Sequence, residues 1–186
     1  MIIRLAPSGS VSCEISDFRI VVNPGTRERG NLTLNTKTDL PIVEKPENTI
    51  NRAGEYEISG IKINGFTMPG NTDDKIMKTA YVVGADGINI CFLDDMVNDL
   101  DDKMTEKFGT VDILVLYADK KSVESKKMAA LVKEMEPRIV LAMNEDAADG
   151  LSEGLGKKPE IMDRLVIKRK DLDNDETDKF IWIKEK

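Results

Sequence analysis

The 186-residue chain contains no histidine. That absence removes both the usual general base near neutral pH and the commonest protein ligand for zinc. Ser-His-Asp and Cys-His catalysis in their usual forms go with it. Cysteine is scarce too: Cys13 and Cys91 are the only two and form no CxxC unit. The sequence therefore predicts two buried free thiols. Aromatic residues make up 5%, so aliphatic and methionine side chains must carry the packing. No run approaches the roughly 18 apolar residues of a membrane span. Residues 1–5 are too short and too charged for a signal peptide, which leaves a cytoplasmic protein without a membrane partner as the expectation. The formal charge of −7 excludes a general nucleic-acid binder, because such a surface repels phosphate. The short basic run Lys168-Arg169-Lys170 is followed at once by acids.

What is present is ordinary for a globular chain, with 40% apolar and 33% charged residues. The first third reads as short strands at 1–5, 11–15 and 18–22, with a turn at Ser16-Asp17 and a stop at Asn23-Pro24-Gly25. A short strand follows at 32–34, and residues 35–53 read as loop. Two hairpins come next, 55–58 with 61–64 across Ser59-Gly60, and 80–84 with 88–93 across 85–87.

The pattern then switches to α/β. Asn98 or Asp99 is placed to cap a helix carrying Leu100, Met104 and Phe108. Residues 111–117 and 139–143 form apolar runs typical of strands covered on both faces. Between them, Ser122 is placed to cap a helix bearing Met128, Leu131, Val132 and Met135 at core-facing spacing. Residues 145–155 suggest a weak helix, lowered in propensity by Gly150 and Gly154. At the end, 165–170 and 180–184 are expected to pair as a hairpin over an acidic turn. Trp182 would then lie on a terminal strand, either packed on its own sheet or open to another subunit's edge. Asp171, Asp173 and Asp175 imitate the start of a calcium loop, but Glu176 replaces its glycine and Trp182 its bidentate Glu, so an acidic turn is the better account. Ser8 and Ser10 lack a partner base for nucleophilic chemistry.

Several strings resemble a known family. Residues 54–63, GEYEISGIKI, are similar to the "GEYE-x-x-G-x-x-I" segment of the lactonase-like branch of the metallo-β-lactamase superfamily. Residues 111–116 resemble its "VDILLIP" strand, residues 136–143 its "EPRIVIPMHY" strand, and residues 20–24 its "IVTDPY". The order and spacing agree across roughly residues 1–145. The resemblance implies an αββα sandwich, here shortened, with residues 1–160 forming the family domain and residues 161–186 a C-terminal hairpin packed on or extending it.

In that family the strand ends hold one or two divalent metals that activate water for hydrolysis. Residue by residue, those ligands are missing here. Residues 32–41 align with "VTVSHDHPDH", which puts Thr36 and Thr38 at the first two histidines and Leu40 and Pro41 at the Asp and third histidine. The histidine after the GEYE hairpin falls near Gly70. The "HLGD" motif becomes Phe92-Leu93-Asp94-Asp95, keeping only the carboxylate of Asp95, and the terminal histidine becomes Asn144. Thr36, Thr38, Asp39, Gly70, Asp95 and Asn144 are therefore the expected remnant of the family metal site. Catalytic residues, metal and cofactor are all expected to be absent, because one carboxylate does not make a zinc site. The reading is a non-catalytic protein with a structural, self-assembly or protein-interaction role, its expected partner a second copy of itself or another protein. Alternatives are a ligand-binding module using the remnant cleft, or a weak hydrolase that is metal-independent or uses Mg²⁺ on oxygen ligands such as Asp39, Asp94, Asp95 and Asn144.

Overall fold

Period-two alternation in the first third produces β1 (Ile2–Leu5), β2 (Val11–Ile15), β3 (Phe18–Val22), β4 (Leu32–Leu34), β5 (Lys37–Asp39) and β6 (Thr49–Ile50). The computed structural model describes all residues except 7–8, 25–27, 29, 40–46, 69–74, 95–99, 120–123, 174–178 and 185–186. The two expected hairpins follow as β7 (Gly54–Ile58) with β8 (Ile61–Thr67), and β9 (Ile76–Ala85) with β10 (Ile88–Leu93). Both turn on two residues of positive φ, Ser59-Gly60 at 52° and 75° and Asp86-Gly87 at 52° and 74°, matching the strand twist. Then come α1 (Asp102–Phe108), β11 (Ile113–Leu116), α2 (Ser125–Met135), β12 (Ile139–Ala142) and α3 (Glu145–Leu155). The chain ends with β13 (Glu160–Met162), β14 (Arg164–Val166) and β15 (Lys179–Ile183).

These strands form two sheets. One has six strands in the order β14-β1-β2-β3-β4-β6; the other has nine, running β13-β15-β12-β11-β10-β9-β8-β7 with β5 paired to β9. Alternate side chains of the nine-stranded sheet serve two cores. Ile63, Tyr81, Ile90, Ile113, Leu141 and Ile181 face Ile3, Cys13, Ile20 and Leu34 of the other sheet. Val82, Cys91, Leu114, Val140 and Phe180 instead meet Phe108, Met128, Leu131 and Leu151 of the helices. That double burial explains the near-continuous apolar runs in β11 and β12. Among the described residues no helix covers the outer face of the six-stranded sheet, and none is long and apolar enough to cross a membrane.

Several local expectations are corrected. Residues 35–53 are not all loop, since β5 and β6 lie within them. The cap of α1 is Asp101, whose carboxylate accepts from Met104 N at 2.9 Å; Asn98 and Asp99 lie outside the described residues. Helix α2 begins at Ser125 after Glu124, and Ser122 is also outside the described residues.

The terminal segments do not form a hairpin. β14 pairs antiparallel with β1, whereas β15 lies parallel to β12 on one side and to β13 on the other. Strand β15 is thus interior, so Trp182 is not on an open edge. The reason is visible in Phe180 and Ile181, which are buried on opposite faces and demand a covered position. Asp171 sits in a 3₁₀ turn where its Oδ2 accepts from Lys168 N at 2.9 Å, and Asp173 pairs with Arg169.

Arg169 ties this C-terminal segment to the body of the domain. Its Nη1 donates to the buried Asp112 Oδ1 at 3.0 Å and to the Gly87 carbonyl at 2.9 Å. Asp112 also accepts from Asn89 N at 2.8 Å. Arg169→Met is expected to cost about 1–2 kcal/mol, less than a fully buried pair because the guanidinium is half exposed. A urea denaturation midpoint measures it, and an unchanged midpoint would show the ion pair to be idle.

Candidate functional site

A cleft of about 470 Å³ opens where the carboxyl ends of five strands converge. β3 and β4 are parallel neighbours in one sheet, and β10, β11 and β12 in the other. Crevices at the carboxyl ends of parallel strands are the usual location of ligand sites in α/β proteins. The apolar floor includes Val22, Phe92, Val115 and Met143, with Tyr117 beside them. Tyr117 is 43% exposed and stands at the mouth.

The polar wall is built around Thr36, which is 1% exposed. The chain leaves β4, turns through Asn35 and Thr36, and joins β9 through β5. Several bonds fix this bend. Asn35 N donates to the Ile50 carbonyl at 3.0 Å and Thr79 N to the Thr36 carbonyl at 2.8 Å. The buried Tyr81 hydroxyl donates to the Asn35 carbonyl at 3.1 Å. Burial raises the Tyr81 phenol pKa, which keeps that proton in place.

Four side chains then lock together. Thr36 N donates to Asn23 Oδ1 at 2.9 Å, which fixes the orientation of the Asn23 amide. Asn23 Nδ2 donates to Thr36 Oγ1 at 2.7 Å. The single hydroxyl proton of Thr36 faces two acceptors, Asp94 Oδ2 and Asn23 Oδ1, each at 3.0 Å. Lys37 Nζ lies 3.3 Å from the same oxygen. The Asp94 side chain is 9% exposed and that of Lys37 is 40% exposed, so the carboxylate is the enclosed partner and the ammonium the accessible one.

The family model described as "Beta-lactamase superfamily domain" matches residues 8–144. The chain belongs to the beta-lactamase superfamily. Its fold agrees with solved metallo-beta-lactamase structures. A protein of that superfamily from Thermotoga maritima, described as a candidate Zn-dependent hydrolase, is 15% identical with 97% of each chain covered and a TM-score of 0.67. Igni18, a metallo hydrolase from Ignicoccus hospitalis, is 11% identical over 90% of this chain and 99% of its own, at 0.59. The metallo-beta-lactamase fold protein YhfI from Bacillus subtilis is 6% identical over 80% and 86%, at 0.52. At these identities the likeness establishes the fold alone. No curated protein matches the sequence.

Within this superfamily fold, Thr36 lines the cleft and the other described residues of the expected remnant, Thr38, Asp39 and Asn144, do not. Thr38 instead donates from Oγ1 to the Asn51 carbonyl at 3.0 Å, and Asp39 is exposed on β5 opposite Ile76. Asn144 is occupied by backbone. Its Nδ2 donates to the Ala118 carbonyl at 2.6 Å, and its Oδ1 accepts from Ala118 N and Ala147 N, both at 3.2 Å. It therefore caps α3 and brackets β11 to β12. Gly70 and Asp95 lie outside the described residues.

Sequence reasoning gave Asp94 only a secondary place beside Asp95 and missed Lys37 and Asn23 as site residues. Lys37 was legible as the one cation inside the segment aligned with the histidine motif. Among the described residues the donors of the cleft do not make up a zinc site. No three acidic or cysteine side chains come together among those residues, and Asp94 already faces an ammonium and the Thr36 hydroxyl.

Proposed function

We propose that this chain is a non-catalytic member of the metallo-β-lactamase fold that keeps the strand-end cleft as a binding site without the family's hydrolytic chemistry. The Lys37–Asp94 contact of 3.3 Å carries this reading. A cation is already seated on the one described carboxylate of the cleft, so charge there is balanced by the chain itself. Hydrolysis of the family type needs a bound metal to activate water, and Lys37 has no coordination position to offer a water molecule. A cleft that stays open favours ligand binding over a purely structural role. An interior β15 removes the open-edge argument for self-assembly through Trp182.

The test is elemental mass spectrometry on untagged protein, alongside a screen of ester, lactone and phosphodiester substrates. Metal well below one equivalent and no turnover are expected. Stoichiometric metal lost in Asp94→Ala, or turnover that survives repeated purification, would overturn the proposal.

A further inference from the structure

Charge in the cleft cancels. Among its described lining residues only Lys37 and Asp94 are ionised, and they face each other at 3.3 Å. Asn23 is exposed, yet both ends of its amide are engaged: Oδ1 accepts from Thr36 N, and Nδ2 donates to Thr36 Oγ1. The backbone is engaged as well. The N–H groups of Asn23, Asn35, Tyr117 and Met143 donate to carbonyls within the fold at 2.9–3.1 Å. An ion of either sign would leave water for a site that offers it no unbalanced counter-charge and none of these donors.

Two polar side chains of the lining are left over. Among the described residues the Asn35 carboxamide and the Tyr117 hydroxyl make no hydrogen bond. Asn35 is half-buried, and Tyr117 is one of the exposed large hydrophobic residues. A carboxamide carries an acceptor and two donors, which match the acceptor and donors of another amide. An aromatic wall above Val115 and Met143 suits a flat ring.

We infer that the cleft is a receptor for small uncharged aromatic molecules with a primary carboxamide head. The head pairs with the Asn35 carboxamide, and the ring lies against Tyr117 over Val115 and Met143. The Lys37–Asp94 pair sets the selectivity without touching the ligand. By balancing its own charge it leaves a carboxylate or amidinium head of the same shape with a desolvation cost and no return. The volume of about 470 Å³ admits such a ligand. This inference rests on the proposal of a metal-free binding cleft.

The experiment is calorimetric titration with benzamide, benzoate and benzamidine, which share one ring and one head shape and carry no charge, a negative charge and a positive charge. Saturable binding of benzamide is expected, at least about tenfold tighter than either ion. Tyr117→Ala should weaken all three. Asn35→Leu should remove the advantage of benzamide, and Asn35→Asp should turn the preference towards benzamidine, with thermal unfolding confirming that the variants fold. Equal binding of the three probes, tighter binding of either ion by the parent, or no saturable benzamide binding at millimolar concentration would each overturn the inference. So would an unchanged order of affinities in folded Asn35→Leu and Asn35→Asp. The metal and turnover measurements are independent of these titrations. Metal-free, inactive protein that ignores benzamide refutes the ligand class alone, whereas metal-loaded, active protein refutes the reading beneath it.

Discussion

Gly154→Ala is expected to destabilise the protein by about 2 kcal/mol, although alanine is the better helix former. In an exposed helix the exchange would gain about 1 kcal/mol. Here a Cβ at residue 154 would stand 2.3 Å from the Ser125 carbonyl oxygen and 2.8 Å from Ala129 Cβ. The first of these atoms is backbone of α2, so relief requires α2 and α3 to separate. Overpacking of this kind costs about 1–3 kcal/mol and sometimes more, which outweighs the propensity gain. Separation would also loosen Met128, Leu131 and Leu151, which share the core beneath both helices.

Gly150→Ala is the informative comparison. Its Cβ would fall 2.0 Å from Met128 Cε, the flexible end of a side chain. Methionine can repack, so this variant should lose much less, about 1 kcal/mol or under. Denaturant midpoints at constant slope measure both. A Gly154→Ala protein as stable as its parent would refute the close helix contact.

The helix pair shows where sequence reading stops. The two glycines in α3 signalled low propensity, and that reading was sound locally. Their use as contact points is set by α2 residues 22 to 29 positions earlier in the chain, which no local pattern encodes. The strands were more legible, because alternation and double-face burial leave marks in a single segment. β11, β12 and both hairpins lie where those marks place them. The terminal segments failed for the opposite reason. Residues 165–170 and 180–184 are close in sequence and β-prone, so a hairpin was the natural reading, yet β14 and β15 each complete a different sheet.

The candidate site divides the same way. The lack of histidine is a property of the chain and could be read at once. Thr36 was found because the motif segment places it. Lys37 and Asn23 were missed because their value comes from Asp94, which a separate strand delivers to the same oxygen contact. Thr38, one residue on, points its hydroxyl to Asn51 instead, since successive side chains in a strand take opposite faces.

The largest effect is expected from alkaline pH, through the two cysteines. Cys13 lies between the sheets and Cys91 beneath the helices, and both are free and fully buried. Burial pushes the Cys13 thiol from 9.0 up to about 12, and burial likewise raises Cys91. Below pH 9 both thiols hold their protons in the folded and unfolded chain, so this stabilisation is fully present. Above it the unfolded chain releases protons that the folded protein keeps. The unfolded state then binds fewer protons, and stability falls as pH rises. Two thiols together remove roughly 3 kcal/mol per pH unit until Cys13 itself ionises in the folded protein. A domain with about 5–15 kcal/mol in hand would lose much of it between about pH 9 and pH 11. Tyr81, also raised by burial from its ordinary 10.0, steepens the fall at the upper end. Urea midpoints across that range should drop in the parent and drop much less in Cys13→Ala/Cys91→Ala; the difference isolates the thiols from the lysines that titrate nearby. Native protein at neutral pH should also resist thiol reagents until it unfolds, because the thiolate is the reactive form. Rapid labelling of either cysteine, or parallel pH profiles for parent and variant, would refute the buried placement. It would also reopen thiolate metal binding, which these protonated thiols do not support in the folded protein.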